Sequence, residues 1–520
     1  MKKFKMPVAD LILKNANVVT VDPGQLTAEL VALKGDKVLL VAGNESAEAV
    51  RGAKTRVIDC QGKTVVPGFN DAHCHIFSFV RKLLNIDLSP SSVSSISDIK
   101  AVISEKAKHT PSGQWLTGTG YNDFYLAEKR HPTRWDIDEA APHHPVVLSH
   151  RSLHACVLNS LALSLAGITR ETPEPPGGLI DRDLNTGEPT GVLFNMLGYV
   201  REKIMPSLSE VELTTGISLA NRHYLSQGIT SLQEATMVNS FTQWRKFHHF
   251  KKTGQLKSRV YMLPGIEALG QFQDAGLACG SGDSQLRLGG VKMALSEDTG
   301  QLYPSQPVLN QQVLAAHRAG FQVAIHAIQQ STVDAAITAL EYAQDHLPQA
   351  GRRHRIEHCS ECPPRLLKRL KTLQVVVVTQ PPFLYYSGER YLVTVPTKQL
   401  RWLYRINSFL NSGLIVAASS DSPIVPDNPL VGIYAAVTRQ AESGQQLLPG
   451  ERISASQALA MYTINAAYAS FEEDIKGSIT PGKLADVVLL SDDLTKVPPE
   501  RIKDIKVEMT IIGGEVVWEA

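Results

Sequence analysis

The hydrophobic rhythm of the chain changes twice. From Ala9 to Val66, apolar and polar positions alternate in short runs. ADLILKNANVVTVD and ELVALKGDKVLLVAG read as strands, the second broken at Gly35-Asp36, a hairpin signal. RVIDCQGKTVVPG gives another pair of strands around Gly62. The end of the chain has the same texture. LADVVLLSDDL and IKVEMTIIGGEVVWEA are strand runs, the latter turning at Gly513-Gly514. Neither end has enough strands to be stable alone. The pattern therefore predicts one small β-sandwich built from both ends, residues 1–63 with 471–520.

Between the ends the pattern alternates between strand-like and helix-like stretches. The apolar runs are GITSLQEA, SRVYMLPG, LRLGGVKMAL, FQVAIHAI, RHRIEHC, LQVVVVTQ and LIVAASSDS. Helix-compatible segments such as VLNQQVLAAHRAG and STVDAAITALEYAQDH lie between most of them. Such alternation implies parallel strands covered by helices. With the earlier run VVPGFNDAHCHIFSF they make eight, enough to close a (β/α)8 TIM-like barrel over 64–89 and 221–470. Residues 90–220 are far too long for a crossover. They read as a large insertion after the first barrel strand, rich in Pro and Gly, standing over the active-site mouth as a cap. The expected class is α/β.

Composition narrows the field. The 520 residues are 43% apolar and 20% charged, with a formal net charge of +1 and no long Lys or Arg run. This gives no electrostatic reason to expect nucleic acid or an anionic membrane as partner. No stretch approaches the roughly 18 apolar residues of a membrane helix. The basic start MKKFKMPVADLIL reads as a first strand and not as a signal peptide, since its apolar run is broken by Asp10, Lys14 and Asn15. Six scattered cysteines do not form a disulfide framework, so a reducing cytoplasm is the expectation. Cys359 and Cys362 form a CxxC, but without a thioredoxin-like context.

The chemistry begins at His73 and His75. In a strand, residues i and i+2 share a face, about 6.6 Å apart along the chain, so two imidazoles can hold one metal ion. Cys74 would point into the packing, and Asp71, on the ligand face, could orient an imidazole. Alone, an HxH pair also fits two ordinary core histidines. Its meaning comes from four residues later in the chain, met in barrel order: Lys292 on the fourth strand, His326 on the fifth, His358 on the sixth and Asp421 on the eighth. Catalytic groups of such barrels sit at the C-terminal ends of the strands, and imidazoles with carboxylates suit Zn and its neighbours. Lys292 is the anomaly, because a buried unpaired ammonium is costly.

This text resembles the amidohydrolase superfamily, in particular its YtcJ-like branch, which includes N-substituted formamide deformylases. The resemblance runs through VVPGFNDAHCH, PTRWDIDEAAP, HACVLNSLALSLAGI, GGVKMAL, QVAIHAI, RIEHC, SSDSPIVPDNPL and GSITPGKLADVVLL. It implies a carbamylated Lys292 bridging two divalent metals, with Zn the expected identity. It assigns His73, His75 and Asp421 to the more buried ion, and His326 and His358 to the second. Two departures bear on substrate: SEDTGQLYPS follows from Ser296 where relatives often carry an Asp-Gly-Ser-like turn, and Gln329-Gln330 replace a Gly-Asp.

The implied function is metal-dependent hydrolysis of a non-peptide C–N bond, an amide, N-acyl or formamide group, in a small molecule. Asp421 is the expected catalytic proton shuttle, with His154 and Tyr121 of the insertion as substrate contacts. The rival readings are a single-metal deaminase or cyclic amidohydrolase, a metal-free binding or regulatory protein, and, last, a CxxC redox protein. No membrane or nucleic-acid partner is expected, and a homo-oligomer is compatible with all of this.

Overall fold

A computed structural model describes residues 7–297 and 300–520. The basic residues 1–6 and two positions of the SEDTGQLYPS stretch, Asp298 and Thr299, lie outside the described residues.

The two ends of the chain share a sheet. Six strands run in the order Glu515–Glu519, Val507–Ile512, Val487–Leu490, Thr64–Pro67, Asn17–Val19, Thr27–Ala28. Val65 pairs antiparallel with Leu489, joining the early part of the chain to its end. A second sheet has the order Lys37–Ala42, Leu30–Lys34, Leu11–Lys14, Arg56–Asp59. Leu11, Leu13, Val31 and Leu33 of this sheet form one core with Val65, Leu489 and Ile511 of the other. Alternation is the reason: positions two apart point to the same face. Gly513 and Gly514 both have positive φ, 59° and 78°, as a two-residue hairpin turn requires. The expected pairing around Gly62 is different. Arg56–Asp59 and Thr64–Pro67 go to separate sheets, because each finds an existing edge, beside Leu11–Lys14 and beside Asn17–Val19.

The middle of the chain forms two arcs of parallel strands in a TIM-barrel-like α/β arrangement. One arc is Leu286–Leu288, Arg259–Met262, Ile229–Glu234, Phe69–Cys74. The other is Val291–Ala294, Val323–Ala327, Arg355–His358, Val376–Thr379, Val416–Ala418. The run LRLGGVKMAL, expected as one strand, is broken at Gly289-Gly290. There the backbone leaves one arc for the other: Gly289 N donates to Met262 O and Val291 N to Gln322 O. A Cβ on Gly289 would lie 2.4 Å from the Tyr261 ring, so only glycine permits this approach. At the opposite side, Asp421 N donates to His73 O and His75 N to Ser422 O, both at 2.8 Å, linking the last strand's exit to the first.

The expected insertion contains a six-stranded sheet, ordered Leu179–Arg182, Pro189–Phe194, Ala155–Leu158, Val146–His150, Leu116–Tyr121, Ile86–Asp87. Its edge strand comes from before residue 90, and it has hydrophobic clusters of its own on both faces. Helix Glu210–Ser226 then leads into strand Ile229–Glu234. Among the described residues no helix is long and apolar enough to cross a membrane.

Candidate metal centre

His73 lies in the strand Phe69–Cys74, and His75 just beyond it, as N-cap of helix Ile76–Leu84. Their rings stand 5.2 Å apart and nearly perpendicular. Both Nε2 atoms approach one oxygen, Asp421 Oδ1, at 3.4 Å from His73 and 2.9 Å from His75. His358 packs 5.1 Å from His73, and His326 4.3 Å from His358. Lys292 Nζ reaches to 3.3 Å from His73 Nε2. The structure thus brings the six expected residues to one place. Of these, His73, His75 and Asp421 already offer ligand atoms within 4.8 Å of one another.

Three of the rings are fixed through Nδ1, which turns Nε2 inward. His73 Nδ1 bonds Glu357 Oε2 at 2.5 Å. His75 Nδ1 bonds Thr236 Oγ1 at 2.9 Å. His358 Nδ1 donates to Gln380 Oε1 at 2.7 Å, and Gln380 is oriented by its own amide, which donates to Ser419 Oγ. This is the usual support for a metal-ligating histidine. His358 Nε2 is buried and has no hydrogen-bond partner among the described residues. Inward imidazole nitrogens, one of them buried and unpartnered, gathered around a buried carboxylate are the chemistry that a divalent cation satisfies, so the residues fit one.

Electrostatics agree. Burial, joined by the nearby Lys292, holds His73 well below the ordinary histidine range, and burial with the neighbouring His358 does the same to His326. Both are neutral, as ligands must be. Burial raises the Asp421 carboxyl, but the His75 contact opposes it, and the net shift is downward, so Asp421 is ionised. Burial pushes Lys292 down to about 8, against the pull of Glu357 and Asp421. His358 and Asp421 both carry positive φ, 70° and 59°, a strained backbone that aims their side chains at the centre.

Several expected roles change. Asp71 does not orient an imidazole. Its carboxylate accepts from His73 N and Ser420 N and bonds the Ser420 hydroxyl, strapping the first strand to the exit of the last. The imidazole partner is Glu357, itself held by Arg355 at 2.7 and 3.0 Å. Both are fully buried. The signal was present in RIEHC: two charged residues, two apart, in an apolar run. Glu234, another buried carboxylate, is committed to the backbone. Its carboxylate accepts from Ile76 N and Thr236 N, capping the helix after His75. Cys74 is buried as expected, with its Sγ on Gln233 O. Cys359 and Cys362 are buried free thiols, and the Cys359 thiol is pushed well up, first by its contact with Cys362.

A cavity of about 460 Å³ adjoins the centre. Its wall includes His326, Ile328 and Gln329 from the parallel-strand side and His131, His154 and Phe194 from the segment that carries the six-stranded sheet. His154 stands 6.0 Å from His326, its Nδ1 on Asn195 Oδ1. Tyr121 does not line this cavity. It is fully buried, its hydroxyl 2.9 Å from His131 Nδ1 and its ring against His150, so any effect it has on substrate passes through those two lining residues.

A TIM-barrel-like α/β fold with a histidine–carboxylate cluster at its strand ends defines a metal-dependent hydrolase. The chain belongs to the amidohydrolase family, whose sequence model matches residues 56–518. It is an enzyme acting on carbon–nitrogen bonds. It is 28% identical over 540 residues to the N-substituted formamide deformylase of Arthrobacter pascens, covering 98% of both chains. It is 29% identical to the protein LONG AFTER FAR-RED 3 of Arabidopsis thaliana, covering 98% of this chain and 92% of that one. Among solved structures, an uncharacterized metal-dependent hydrolase from Pyrococcus horikoshii OT3 superposes with a TM-score of 0.76 at 25% identity, over 94% of this chain and 99% of the other.

Proposed function

We propose that the enzyme hydrolyses an amide, N-acyl or formamide bond of a small molecule at a centre of two zinc-type ions bridged by a carbamylated Lys292. The observation that carries this reading is the convergence of inward-facing imidazole nitrogens and Asp421 Oδ1 at the strand ends. The name of the Arthrobacter relative supports the bond type. When bound, a divalent ion supplies Lewis acidity that polarises the carbonyl and makes water nucleophilic near neutral pH. Asp421, ionised and adjacent to His75, takes a proton from the attacking water and returns it to the departing nitrogen. The products are a carboxylic acid and an amine. Carbamylation joins neutral Nζ to CO2 with loss of a proton, and a lysine depressed to about 8 supplies more neutral amine than an exposed one. It also replaces a buried cation by a ligand anion.

We read residues 90–220 as the cap that shapes substrate access, with residues 1–63 and 471–520 as the accessory sandwich. Unpaired thiols suit a reducing cytoplasm. One observation favours a single-ion version: among the described residues only His73, His75 and Asp421 are gathered within 4.8 Å. Metal content decides. Protein purified without chelator carries close to two transition ions per chain, against one for the deaminase-like version and none for a binding protein. Screening the metal-loaded enzyme on N-acyl, formamide and cyclic amide compounds then identifies the bond. A chain that binds no metal after reconstitution overturns the proposal.

A further inference from the structure

The cavity beside the centre has a polar end that the hydrolytic chemistry does not use. His326 marks the reacting end, through its contact with His358. Along the insertion wall, His131 meets Phe194 edge to face at 5.6 Å and His150 at 5.6 Å. Behind them Tyr121 packs 5.2 Å from His150 and 5.8 Å from His131. Asp123 lies in the same lining. This is an aromatic-walled space with a carboxylate, of a size that takes a small organic group.

The protonation of His150 decides what that carboxylate does. Ser152 N donates to His150 Nδ1 at 3.1 Å, so Nδ1 is the lone-pair nitrogen and the ring proton sits on Nε2. Nε2 faces Asp123 Oδ1 at 3.1 Å. Burial lowers the His150 pKa below the ordinary value, so the ring is neutral. The His150 contact holds Asp123 down at about 2. The pair therefore retains a full negative charge, and a carboxylate can accept further donors beyond one imidazole N–H. The other charges acting on these rings are Asp181 near His131 and Arg390 near His150, and Arg390 lies against Tyr391 at 5.3 Å.

We infer that this cavity holds the part of the substrate remote from the scissile bond, and that Asp123 selects substituents ending in an ammonium or comparable donor over anionic ones. The inference rests on the proposed amide hydrolysis and adds the substrate's charge. A charge-assisted contact of this kind changes affinity by roughly tenfold or more.

The test uses the metal-loaded enzyme and three matched probes: N-formylbenzylamine bearing a para aminomethyl, methyl or carboxylate group. The expected order of kcat/KM is aminomethyl, methyl, carboxylate. In Asp123→Asn the aminomethyl-to-methyl ratio falls about tenfold; because it is a ratio within one protein, a general loss cancels. Binding of the same probes is measured by calorimetry. If no probe is hydrolysed but the binding order holds and depends on Asp123, the formamide version of the proposed hydrolysis fails and the cavity inference stands. A wild-type preference for the carboxylate, or equal binding of all three probes, overturns the inference without any variant. An unchanged ratio in folded Asp123→Asn overturns it as well.

Discussion

Asp421 and Lys292 separate chemistry from scaffolding at the level of single residues. Asp421→Asn keeps the shape and one ligand oxygen but removes the proton acceptor. It should lower kcat by about 10²–10⁴ while metal analysis shows most of the metal retained. Lys292→Ala removes the proposed bridge, so metal and activity should fall together, and a short carboxylic acid should restore part of both. Normal metal content with normal turnover in Lys292→Ala would exclude the carbamate. Glu357 allows a finer test, since it touches His73 at Nδ1, away from the inward Nε2. Glu357→Gln weakens the acceptor on Nδ1 and leaves Arg355 without its carboxylate. Loss of such a supporting group costs roughly 10–100-fold in metal affinity, measurable by competition with a chromophoric chelator. Unchanged affinity would show that the ring is held by packing alone.

Elements meet the centre through contacts distant in sequence. Helix Glu210–Ser226 is tied to the segment after Asp421 by His223 Nε2 and Asp427 Oδ1, 2.6 Å apart. Burial lowers the His223 pKa, but the Asp427 contact outweighs it, and the net shift is upward from 6.5, with Lys82 opposing. A raised histidine pKa stabilises the fold below the unfolded value of 6.5, and this contribution disappears as pH rises through the folded value. His223→Gln should therefore destabilise more at pH 6 than at pH 9 in denaturant titrations. An equal loss at both pH values would mean that the contact works through shape and not charge.

At the scale of the whole molecule, a buried ion pair ties the terminal sheet to the parallel strands. Arg259, in the strand Arg259–Met262, holds Asp486 through two hydrogen bonds of 2.6 and 2.8 Å, and Asp486 also accepts from Gly513 N. Both side chains are almost fully buried. Truncating one partner of a buried pair leaves the other charge uncompensated, at about 3–5 kcal/mol. Arg259→Met should lose that much in chemical denaturation, whereas Arg259→Met with Asp486→Leu should recover a large part. If the single variant is as stable as the parent, the tie is not electrostatic.

Much of this organisation was legible along the chain. Period-two alternation marked the terminal strands, and buried parallel strands declared themselves as continuous runs such as VVVV at 375–378. The residue types of the candidate centre and their order along the chain were legible too, because successive parallel strands end at a common face. Other features depended on the tertiary structure. Whether Arg56–Asp59 and Thr64–Pro67 pair with each other depends on which edges other strands offer. The break at Gly289-Gly290 depends on the ring of Tyr261, on a different strand. Glu357 rather than Asp71 supports His73 because the packed parallel strands bring its carboxylate to Nδ1, while Asp71 is taken by Ser420. Asp123, His131 and His150 share a cavity with His326 only because the six-stranded sheet packs beside the parallel strands. Local pattern determines what a segment can form and which chemistry it carries; the partners of a polar side chain are set by distances that only the packed chain defines.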